Sequence, residues 1–546
     1  MHIARIGADA TELCCAEDIG AKAANLARMA ALGLPVPPAF VLPVKLCADI
    51  VAGHAHAEHH LRDGLKEGIA FLEQATGKRF GDRREPLLVS VRSGAPRSMP
   101  GMLDTVLNVG CTQDAVHGLI RATGRPRLAW DCRRRFLESF GETVLGLDAA
   151  GFAARISDLV GIEGADNDRE LDSEALERLA GDEQLLVEDH AEGLLDDAVA
   201  QLEAAARAVY WSWKSERAQT YRKLQQLEDL QGTAVTVQAM VFGNGGLASG
   251  AGVAFSRDPS TGAPRPMIDL VLDAQGEDVV SGRRTPDTAD AIRRALPRTE
   301  AELGDILKRL EREFGDVQDV EFTVEDGKLW ILQTRSAKRT PRAAVRIAID
   351  LMHEGLIEQD EALHRIAGID LASLTVTSLV SAGQPVATGV GASGGIGVGR
   401  VAFSSESAQR LSATGEPVIL LRPDTSTADV AGFAVAAGIV TAVGARTSHA
   451  ALVARQMGKP CVVGCHALKI DPVAGQAQLA DATLSEGDWI TIEGDAGQLY
   501  LGRCRTVETR PEAELGEIAT WQSSWQSSQA GGLGTPVRAA AQCTPL

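Results

Sequence analysis

Residues 444–461 read GARTSHAALVARQMGKPC, and this stretch decides how the rest of the chain is interpreted. Residues 450–457 are good helix formers apart from one valine, so the pattern predicts a short helix there. Gly458 suits the left-handed residue that ends many helices, and Pro460, just beyond it, cannot continue one. The stretch therefore predicts a short helix of defined length with a histidine at its start.

His449 is predicted to stand at the N-terminus of this helix, with Thr447 and Ser448 as candidate N-caps. The unpaired backbone N–H groups of a first helical turn carry partial positive charge and can hold a phosphoryl group. A neutral imidazole is also nucleophilic near pH 7, which suits a residue that accepts and then releases phosphate. On this stretch alone, a buried histidine with a structural role is the alternative.

The composition is that of a multidomain globular protein, because 546 residues exceed one hydrophobic core and suggest about three or four domains. A net charge of -19 argues against nucleic acid or an anionic membrane as the main partner, since both demand a broad basic face. We find neither a secretory signal nor a run of about 18 apolar residues, and expect a cytoplasmic protein. The nine cysteines follow no disulfide or zinc framework.

The chain changes character several times along its length. Apolar runs and helices alternate up to about residue 110, and residues 112–230 contain acidic, proline-free helical stretches. We therefore predict a mixed α/β domain over 1–340 with a helical insertion at about 112–230. Residues 341–385 predict a helical linker, and residues 386–505 a second domain with short strands. Residues 506–546 are rich in Gln, Ser and Ala and are predicted to be disordered.

A glycine-rich loop lies between two strand-like segments, 234–241 and 253–256. Strand, glycine loop and strand together predict a hairpin whose loop covers phosphate, with a merely mobile hairpin as the alternative. The loop residues assigned to phosphate are Gly243, Asn244, Gly245 and Gly246.

Strict alternation in residues 319–324 predicts a strand that carries Asp319 and Glu321 on one face and apolar residues on the other. The dipeptide at 326–327, Asp-Gly, predicts a tight turn, after which a returning strand places Gln333 and Arg335 on one face. Carboxylates, an amide and a guanidinium are the groups that Mg²⁺ and a polyphosphate require. Ordinary alternation of surface charge is the alternative.

Two further patterns are set aside. Residues 389–394 match the dinucleotide fingerprint G-x-G-x-x-G, but a strand and not a helix is predicted to follow, and no P-loop sequence exists. His56 and His60 are four residues apart in a predicted helix and could ligate a metal. Without a carboxylate to complete the set, we interpret them as part of a solvated helix face.

Seven segments of the chain, in this order, are GAKAANLARMAALGLPVPPAF, LLVSVRSGAPRSMPGMLDTVLNVG, VTVQAMVFGN, GVAFSRDPSTG, AQGEDVVSGRRTP, QDVEFTVEDGKLWILQTRSAKRT and TSHAALVARQMGKPCVVGC. Together, over roughly residues 15–505, they resemble the pyruvate, phosphate dikinase family of phosphoenolpyruvate-utilising enzymes. The resemblance implies α/β and α+β architecture. An ATP-grasp nucleotide-binding domain would be followed by a swivelling β/β/α phosphohistidine domain, whose histidine visits the ATP site and then a distant acceptor site.

The resemblance also implies how the nucleotide is bound. Lys22 and Arg92 would contact the phosphates, with Arg135 beside them, and Gln238 and Met240 would lie along the adenine hinge.

The phosphoryl-transfer residues are implied in the same way. Asp319, Glu321 and Gln333 would hold metal and nucleotide, with Mg²⁺ on the two carboxylates. Arg335 would stabilise the transferring group, and Glu277 would belong to the phosphate-transfer site.

Phosphoenolpyruvate synthases and rifampin phosphotransferases share both modules, but SMPGMLDTVLNVG and TSHAA are more similar to the phosphate-dependent dikinases. The implied partial reaction converts ATP, inorganic phosphate and His449 into AMP, pyrophosphate and phospho-His449. Thr447 occupies the position that a regulatory protein phosphorylates in this family.

The family continues into a barrel that binds phosphoenolpyruvate and pyruvate, and from the resemblance we expect this barrel to be absent. In a first hypothesis, a separate barrel protein supplies the acceptor site for pyruvate. In a second, the acceptor is a different small molecule or protein, and in a third the chain is a non-catalytic ATP-binding regulatory protein. The intact set from Lys22 to His449 favours an enzyme, and a homodimer is one arrangement that the sequence leaves open.

Overall fold

The computed structural model describes residues 2–7, 11, 13–97, 99, 102–191, 193–280, 286–287, 289–381, 383–425, 429–471 and 474–531. The chain divides into two compact units, which are described separately. The first comprises Met1–Gly245 and Trp330–Thr334, and the second Gly246–Leu329 and Arg335–Leu546. Among the described residues, no helix combines the length and apolar character needed to cross a bilayer.

An antiparallel sheet forms the centre of the first unit. The strands of this unit are β1 (Ala4–Ile6), β2 (Ala39–Leu42), β3 (Arg79–Phe80), β4 (Pro86–Leu87), β5 (Val89–Gly94), β6 (Thr105–Val109) and β7 (Ala234–Ala239). The sheet has the order β1-β2-β7-β5-β6, and β3 pairs with β4 separately. Every residue of β7 is buried, which fits its central position and its apolar sequence.

Helices cover this sheet. They are α1 (Ala16–Ile19), α2 (Ala21–Ala31), α3 (Leu46–Val51), α4 (Ala55–Thr76), α5 (Gln113–Thr123), α6 (Pro126–Thr143), α7 (Ala149–Glu163), α8 (Ser173–Ala191), α9 (Ala198–Trp211) and α10 (Glu216–Leu224). Helix α9 packs on β5, β6 and β7, and α6 packs on β6 and α8. The helical character predicted for residues 112–230 is confirmed by α5 to α10.

The second unit begins with a four-stranded sheet of order β11-β10-β8-β9. Its strands are β8 (Gly250–Phe255), β9 (Met267–Leu272), β10 (Gln318–Glu325) and β11 (Lys328–Ser336), and the helices near it are α11 (Gly276–Val280), α12 (Ala289–Ala295) and α13 (Thr299–Phe314). The predicted hairpin around the glycine loop is wrong, because β7 and β8 belong to different sheets. Asp326 and Gly327 both have positive φ, so the predicted tight turn is confirmed.

Residues 341–385, which the sequence predicts to be a helical linker, contain α14 (Pro341–His353), α15 (Gln359–Ile366) and also β12 (Val376–Ser381). The prediction of a disordered tail is wrong as far as residue 531, because the chain forms β24 (Arg505–Thr509), which pairs with β12, and α19 (Glu512–Gly531). Ile518 and Trp521 of α19 are buried in one cluster with residues of α14 and α15. Two apolar residues three apart anchor this helix despite its polar composition. The rest of the predicted tail lies outside the described residues.

The remaining elements form three layers. They are β13 (Ala387–Thr388), β14 (Val390–Ser393), β15 (Ile396–Ala402), α16 (Ser405–Ser412), β16 (Val418–Arg422), α17 (Val430–Val435), β17 (Gly438–Thr441), α18 (His449–Gln456), β18 (Cys461–Val463), β19 (Leu468–Asp471), β20 (Gln476–Leu479), β21 (Ala482–Ser485), β22 (Trp489–Glu493) and β23 (Gln498–Leu501). The main sheet has the order β13-β23-β22-β15-β16-β17-β18-β14, with β15 to β18 parallel.

Alternating residues of β16 show how the layers form. Val418 and Leu420 pack with α17 and α18 on one face, whereas Ile419 and Leu421 pack with β19, β20 and β21 on the other. The sequence predicted a strand after residue 394, and β15 confirms it. The layers are therefore sheet, sheet and helices, with α18 in the helical layer.

Candidate active site

Lys22 and Arg92 lie on adjacent elements of the first unit. Lys22 is exposed in the first turn of α2, and Arg92 is half-buried in β5. Gly20 allows the two elements to approach closely, because its φ is +80° and a Cβ at this position would lie 2.0 Å from the Gly94 carbonyl oxygen. The Ala21 N–H also donates to the Ala95 carbonyl, at 3.0 Å. The glycine that opens the GAKAANL segment is thus required by close backbone approach.

Arg135 is held by a buried carboxylate that also binds the glycine loop. Asp131 Oδ2 accepts from Arg135 Nε at 2.9 Å and from Asn244 Nδ2 at 2.7 Å. Asp131 Oδ1 accepts from Arg134 Nη2 at 2.8 Å. Burial alone would raise the pKa of Asp131, but the two arginines outweigh it and lower that pKa well below its usual range. One carboxylate therefore fixes both a predicted phosphate-contacting arginine and the loop predicted to cover phosphate.

The two residues predicted for the adenine hinge lie at the end of β7. Gln238 is buried, and its side-chain amide donates to the Pro37 carbonyl at 3.2 Å. The Met240 N–H donates to the Leu88 carbonyl at 2.9 Å. The side chain of Gln238 thus has a structural contact that the sequence did not predict, and an adenine contact for either residue stays a prediction.

A buried ion pair forms the charged centre of the second unit. Arg335 Nε donates to Asp319 Oδ2 at 2.8 Å, and Asp319 is 1% exposed. Burial raises the pKa of Asp319, and the guanidinium of Arg335 partly offsets this. Burial would lower the pKa of Arg335, but Asp319 and Glu321 outweigh it and raise that pKa. The predicted polar face of β10 therefore exists, but its residue Asp319 is buried. Sequence alternation predicts which residues share a face and does not predict whether that face is exposed to solvent.

Glu321 and Gln333 are the other two residues predicted to hold metal and nucleotide. Glu321 is half-buried on β10, two residues beyond Asp319, and Gln333 is half-buried on β11. Gln333 belongs to the first unit and Glu321 to the second. Binding of one metal–nucleotide complex by both residues therefore stays a prediction. Asp319 Oδ1 is buried and has no hydrogen-bond partner among the described residues. An unpaired buried carboxylate oxygen beside a second carboxylate is a suitable environment for a hard cation.

Glu277 lies half-buried in α11, a short helix that packs on β8 and β10. The same helix touches the histidine segment, because the Thr447 hydroxyl donates to the Val279 carbonyl at 3.5 Å. Thr447 is 2% exposed, so a modifying protein can reach it only if the histidine segment leaves α11.

His449 occupies the predicted position at the start of α18. Ser448 is the N-cap, and its hydroxyl accepts from the Ala451 N–H at 3.4 Å, while Gly458 has the predicted left-handed φ of +63°. The His449 ring centroid lies 6.3 Å from that of Phe433.

The chemistry of His449 differs from that of a structural histidine. Its Nε2 is buried without a hydrogen-bond partner among the described residues. Burial lowers the pKa of His449 from its ordinary value of 6.5, although Asp429 and Asp424 act in the opposite direction. A neutral imidazole with an unpaired nitrogen at a helix N-terminus is equipped to accept a phosphoryl group.

Sequence reasoning missed three residues that hold the histidine segment in place. Arg446 meets Asp269 of β9 through its backbone N–H, at 3.1 Å, and through its guanidinium. Arg455 is fully buried, donates to the Ala392 carbonyl at 3.1 Å and lies over the Phe255 ring at 5.2 Å. Burial lowers the pKa of Arg455 to about 10. The available signal was the pair of arginines on either side of the histidine in ARTSHAALVAR.

Comparison with known proteins bears on both units. The profile of the family described as pyruvate phosphate dikinase, AMP/ATP-binding domain, matches residues 54–301 and 289–355, together more than half of the chain. The chain belongs to the pyruvate phosphate dikinase family. A second profile, PEP-utilising enzyme, mobile domain, matches residues 414–497, which include α18 and His449.

Individual pyruvate, phosphate dikinases align with nearly all of the chain. The protein of that name from Clostridium symbiosum is 39% identical over 515 residues, which is 93% of this chain and 59% of the relative. Pyruvate, phosphate dikinase 2 from Oryza sativa subsp. japonica is 41% identical over 508 residues, 92% of this chain and 57% of the relative. The dikinase from Rhizobium meliloti is 41% identical over 519 residues, which is 92% of this chain and 58% of the relative. The chain thus spans less than three fifths of the length of these dikinases.

Proposed function

We propose that this protein is an ATP-dependent phosphotransferase of pyruvate, phosphate dikinase type that phosphorylates its own His449. The observation that carries the proposal is the buried, unpaired Nε2 of His449 at the N-terminus of α18, within the residues that match the mobile-domain profile. The lowered pKa of His449 supports a neutral nucleophile.

The proposed half-reaction consumes ATP and inorganic phosphate. An imidazole nitrogen of His449 forms a bond to the β-phosphorus of ATP, the bond that joins this phosphorus to the α-phosphate oxygen breaks, and AMP leaves. The γ-phosphoryl group is transferred to inorganic phosphate as pyrophosphate, so that His449 keeps a single phosphoryl group. Four phosphorus atoms enter as ATP and phosphate, and four leave as AMP, pyrophosphate and phospho-His449.

The nucleotide is proposed to bind in an ATP-grasp fold over residues 1–340, before the linker at 341–385 and the swivelling domain at 386–505. Lys22 and Arg92 would contact its phosphates, and Arg135 would do so from the orientation that Asp131 imposes. The bond from Asn244 to the same carboxylate supports a loop, Gly243 to Gly246, that is anchored where it approaches phosphate. Gln238 and Met240 would lie along the adenine.

Mg²⁺ fits the residues proposed to hold it. Asp319 and Glu321 offer oxygen ligands, and Asp319 Oδ1 is buried without a partner among the described residues. Bound there, the ion would neutralise charge on the phosphates, and Gln333 would contact the metal or the nucleotide. Arg335 would stabilise the charge that develops on the transferring group, and its ion pair with Asp319 limits its orientations. Glu277 would act at the same step, on the helix that contacts the segment preceding His449.

Pyruvate is the proposed final acceptor, as the names of the relatives suggest. An acceptor domain on a separate protein stays one prediction, and a different small-molecule or protein acceptor is the second candidate. Phosphorylation of Thr447 by a regulatory protein is a further prediction. Because the Thr447 hydroxyl is buried against α11, we expect it to be accessible only after the segment separates from that helix.

The test incubates the purified chain with Mg²⁺ and ATP labelled at the β-phosphate, with and without inorganic phosphate. We expect acid-labile label on the protein, labelled pyrophosphate to be absent, AMP to be released, and unlabelled pyrophosphate to form only when phosphate is present, with no label on His449→Ala. His466→Ala is the matched control, because His466 is an exposed histidine of the same unit, and it should be labelled as the wild type is.

Three results would change the assignment. Label on His449→Ala would contradict the mechanism, and release of the γ-phosphoryl group as inorganic phosphate instead of pyrophosphate would favour the synthase-like reaction. ATP binding without any labelling would favour a regulatory protein. Adding pyruvate, with and without a candidate barrel protein, then shows which acceptor discharges phospho-His449.

A further inference from the structure

Three polar side chains meet where α3 is followed by α4. Asp49 of α3 lies beside His54, the N-cap of α4, and His56 in its first turn. Asp49 Oδ1 is 3.1 Å from His54 Nδ1, and Asp49 Oδ2 is 3.5 Å from His56 Nε2. One ligand atom from each of the three residues lies within 4.8 Å of the others. The sequence offered histidines without a carboxylate, and the fold supplies one from the preceding helix.

We propose that Asp49, His54 and His56 form a surface binding site for a divalent transition-metal ion of the zinc class. Two imidazoles and a carboxylate are ligands that zinc accepts, and a set of three protein ligands leaves the fourth position to water. The site lies on α3 and α4 of the first unit and does not depend on the proposed phosphotransferase function.

The backbone at this point is already ordered around Asp49. The connection between the helices is short, and the His54 N–H donates to the Asp49 carbonyl at 3.1 Å. Asp49 is half-buried, whereas the two histidines are exposed. Zinc bonds of about 2.0–2.2 Å in a tetrahedron place ligand atoms about 3.3–3.6 Å apart, so only a modest approach of the three groups is needed. Exposed imidazoles make that approach by rotamer changes without disturbing the core.

The same helix contains the matched controls. His59 lies 3.3 Å from Asp63 Oδ2 on the surface of α4 and is not part of the three-residue group. The His60 ring is 6.1 Å from that of His56, edge to face, and His60 is likewise outside the group. The spacing in sequence suggested His56 and His60 as a pair of metal ligands. The structure instead places His56 beside Asp49.

The test measures zinc binding to the full chain after treatment with EDTA, without nucleotide or Mg²⁺, by competition with a chromogenic chelator. We expect the wild type to contain a zinc site that is at least tenfold weaker in Asp49→Asn, in His54→Ala and in His56→Ala. His59→Ala should bind as the wild type does. Zinc should also raise the melting temperature of the wild type and not that of the double variant His54→Ala/His56→Ala.

Two results would overturn the site. One is zinc binding by the double variant that equals wild-type binding, because the ion would then be held elsewhere, for instance by cysteines. The other is an equal loss of affinity in His59→Ala, which would indicate adsorption to any exposed histidine. Melting curves without zinc that match the wild type show that each variant is folded.

Discussion

Histidines lie at the N-termini of α18 and α4, and the surroundings of these histidines differ in burial and in pairing. At α18, His449 follows a serine cap, its Nε2 is buried, and burial lowers its pKa. At α4, His54 and His56 are exposed and lie beside the carboxylate of Asp49. Among the described residues, the Nε2 of His449 at the start of α18 has no hydrogen-bond partner, whereas the start of α4 lies beside a carboxylate.

This difference shows that the residue type does not determine the chemistry. A desolvated, neutral imidazole is suited to act as a nucleophile, and exposed imidazoles around a carboxylate are suited to bind a metal ion. The sequence favoured His449 because of its neighbours, but burial and pairing distinguish the two sites.

Exchanging the nucleophile should have the largest effect. We expect His449→Asn to reduce labelling from β-labelled ATP by about 10⁶-fold, the scale seen when an enzyme nucleophile is removed. His56→Asn should leave labelling unchanged, since His56 is exposed on α4. Single-turnover labelling measures both, and a comparable loss in the two variants would remove the distinction between the helices.

Removing a buried charge should cost far more than removing an exposed one. Arg335→Met would leave Asp319 buried and unpaired, and we expect it to lower the free energy of unfolding by about 3–5 kcal/mol. Arg62→Met breaks an exposed pair of α4 with Glu203 and should cost less than about 1 kcal/mol. Urea unfolding followed by tryptophan fluorescence compares the two, and equal costs would contradict the burial of the Asp319 pair.

The labelling rate should depend on pH in the way that a lowered histidine pKa requires. We expect a constant rate from about pH 8 to 6.5 and a decrease only below, because His449 stays neutral below its ordinary pKa of 6.5. The contribution of His449 to the free energy of unfolding also decreases as the pH falls. It is complete above 6.5 and decreases as the pH falls towards the lowered pKa, since the unfolded chain binds the proton more tightly.

Asp429→Asn sharpens this prediction. Asp429 raises the pKa of His449, so the variant should move the acid limb of the rate profile to lower pH. A limb above pH 6.5 in the wild type, or a shift to higher pH in the variant, would contradict the account of the site.

The smallest expected effect concerns the helix caps. Ser448→Ala removes a side chain that accepts from the Ala451 N–H and should cost about 1 kcal/mol. His54→Ala removes an N-cap without a side-chain capping bond, and should change stability by less than about 0.5 kcal/mol. Thermal unfolding without metal measures both changes in stability. A larger loss in His54→Ala than in Ser448→Ala would contradict the prediction.

Local patterns predicted much of this fold. The alternation around Asp319, the Asp326–Gly327 turn and the left-handed Gly458 just beyond α18 follow from periodicity and backbone preference, which depend on neighbours in sequence. The separation of β7 from β8 into two sheets was missed, because strand pairing depends on distant residues. Helix α19 was missed because two buried residues, Ile518 and Trp521, stabilise an otherwise polar segment.

The same division holds for the candidate site. His449, Asp319 and Arg335 were found from sequence, since a helix start and two paired strands are local features. The sequence did not reveal Asp131, because this residue joins Arg135 and Asn244, which are more than a hundred residues apart in sequence. The contact between Arg446 and Asp269 spans a similar separation and was missed for the same reason.

The central claim is that His449 carries the phosphoryl group, and locating that group tests it most directly. The chain is phosphorylated with ATP, Mg²⁺ and phosphate, digested under alkaline conditions that preserve phosphohistidine, and analysed by tandem mass spectrometry. The account predicts one phosphoryl group on the peptide that contains His449. A phosphoryl group on another residue, with the His449 peptide unmodified, would contradict it.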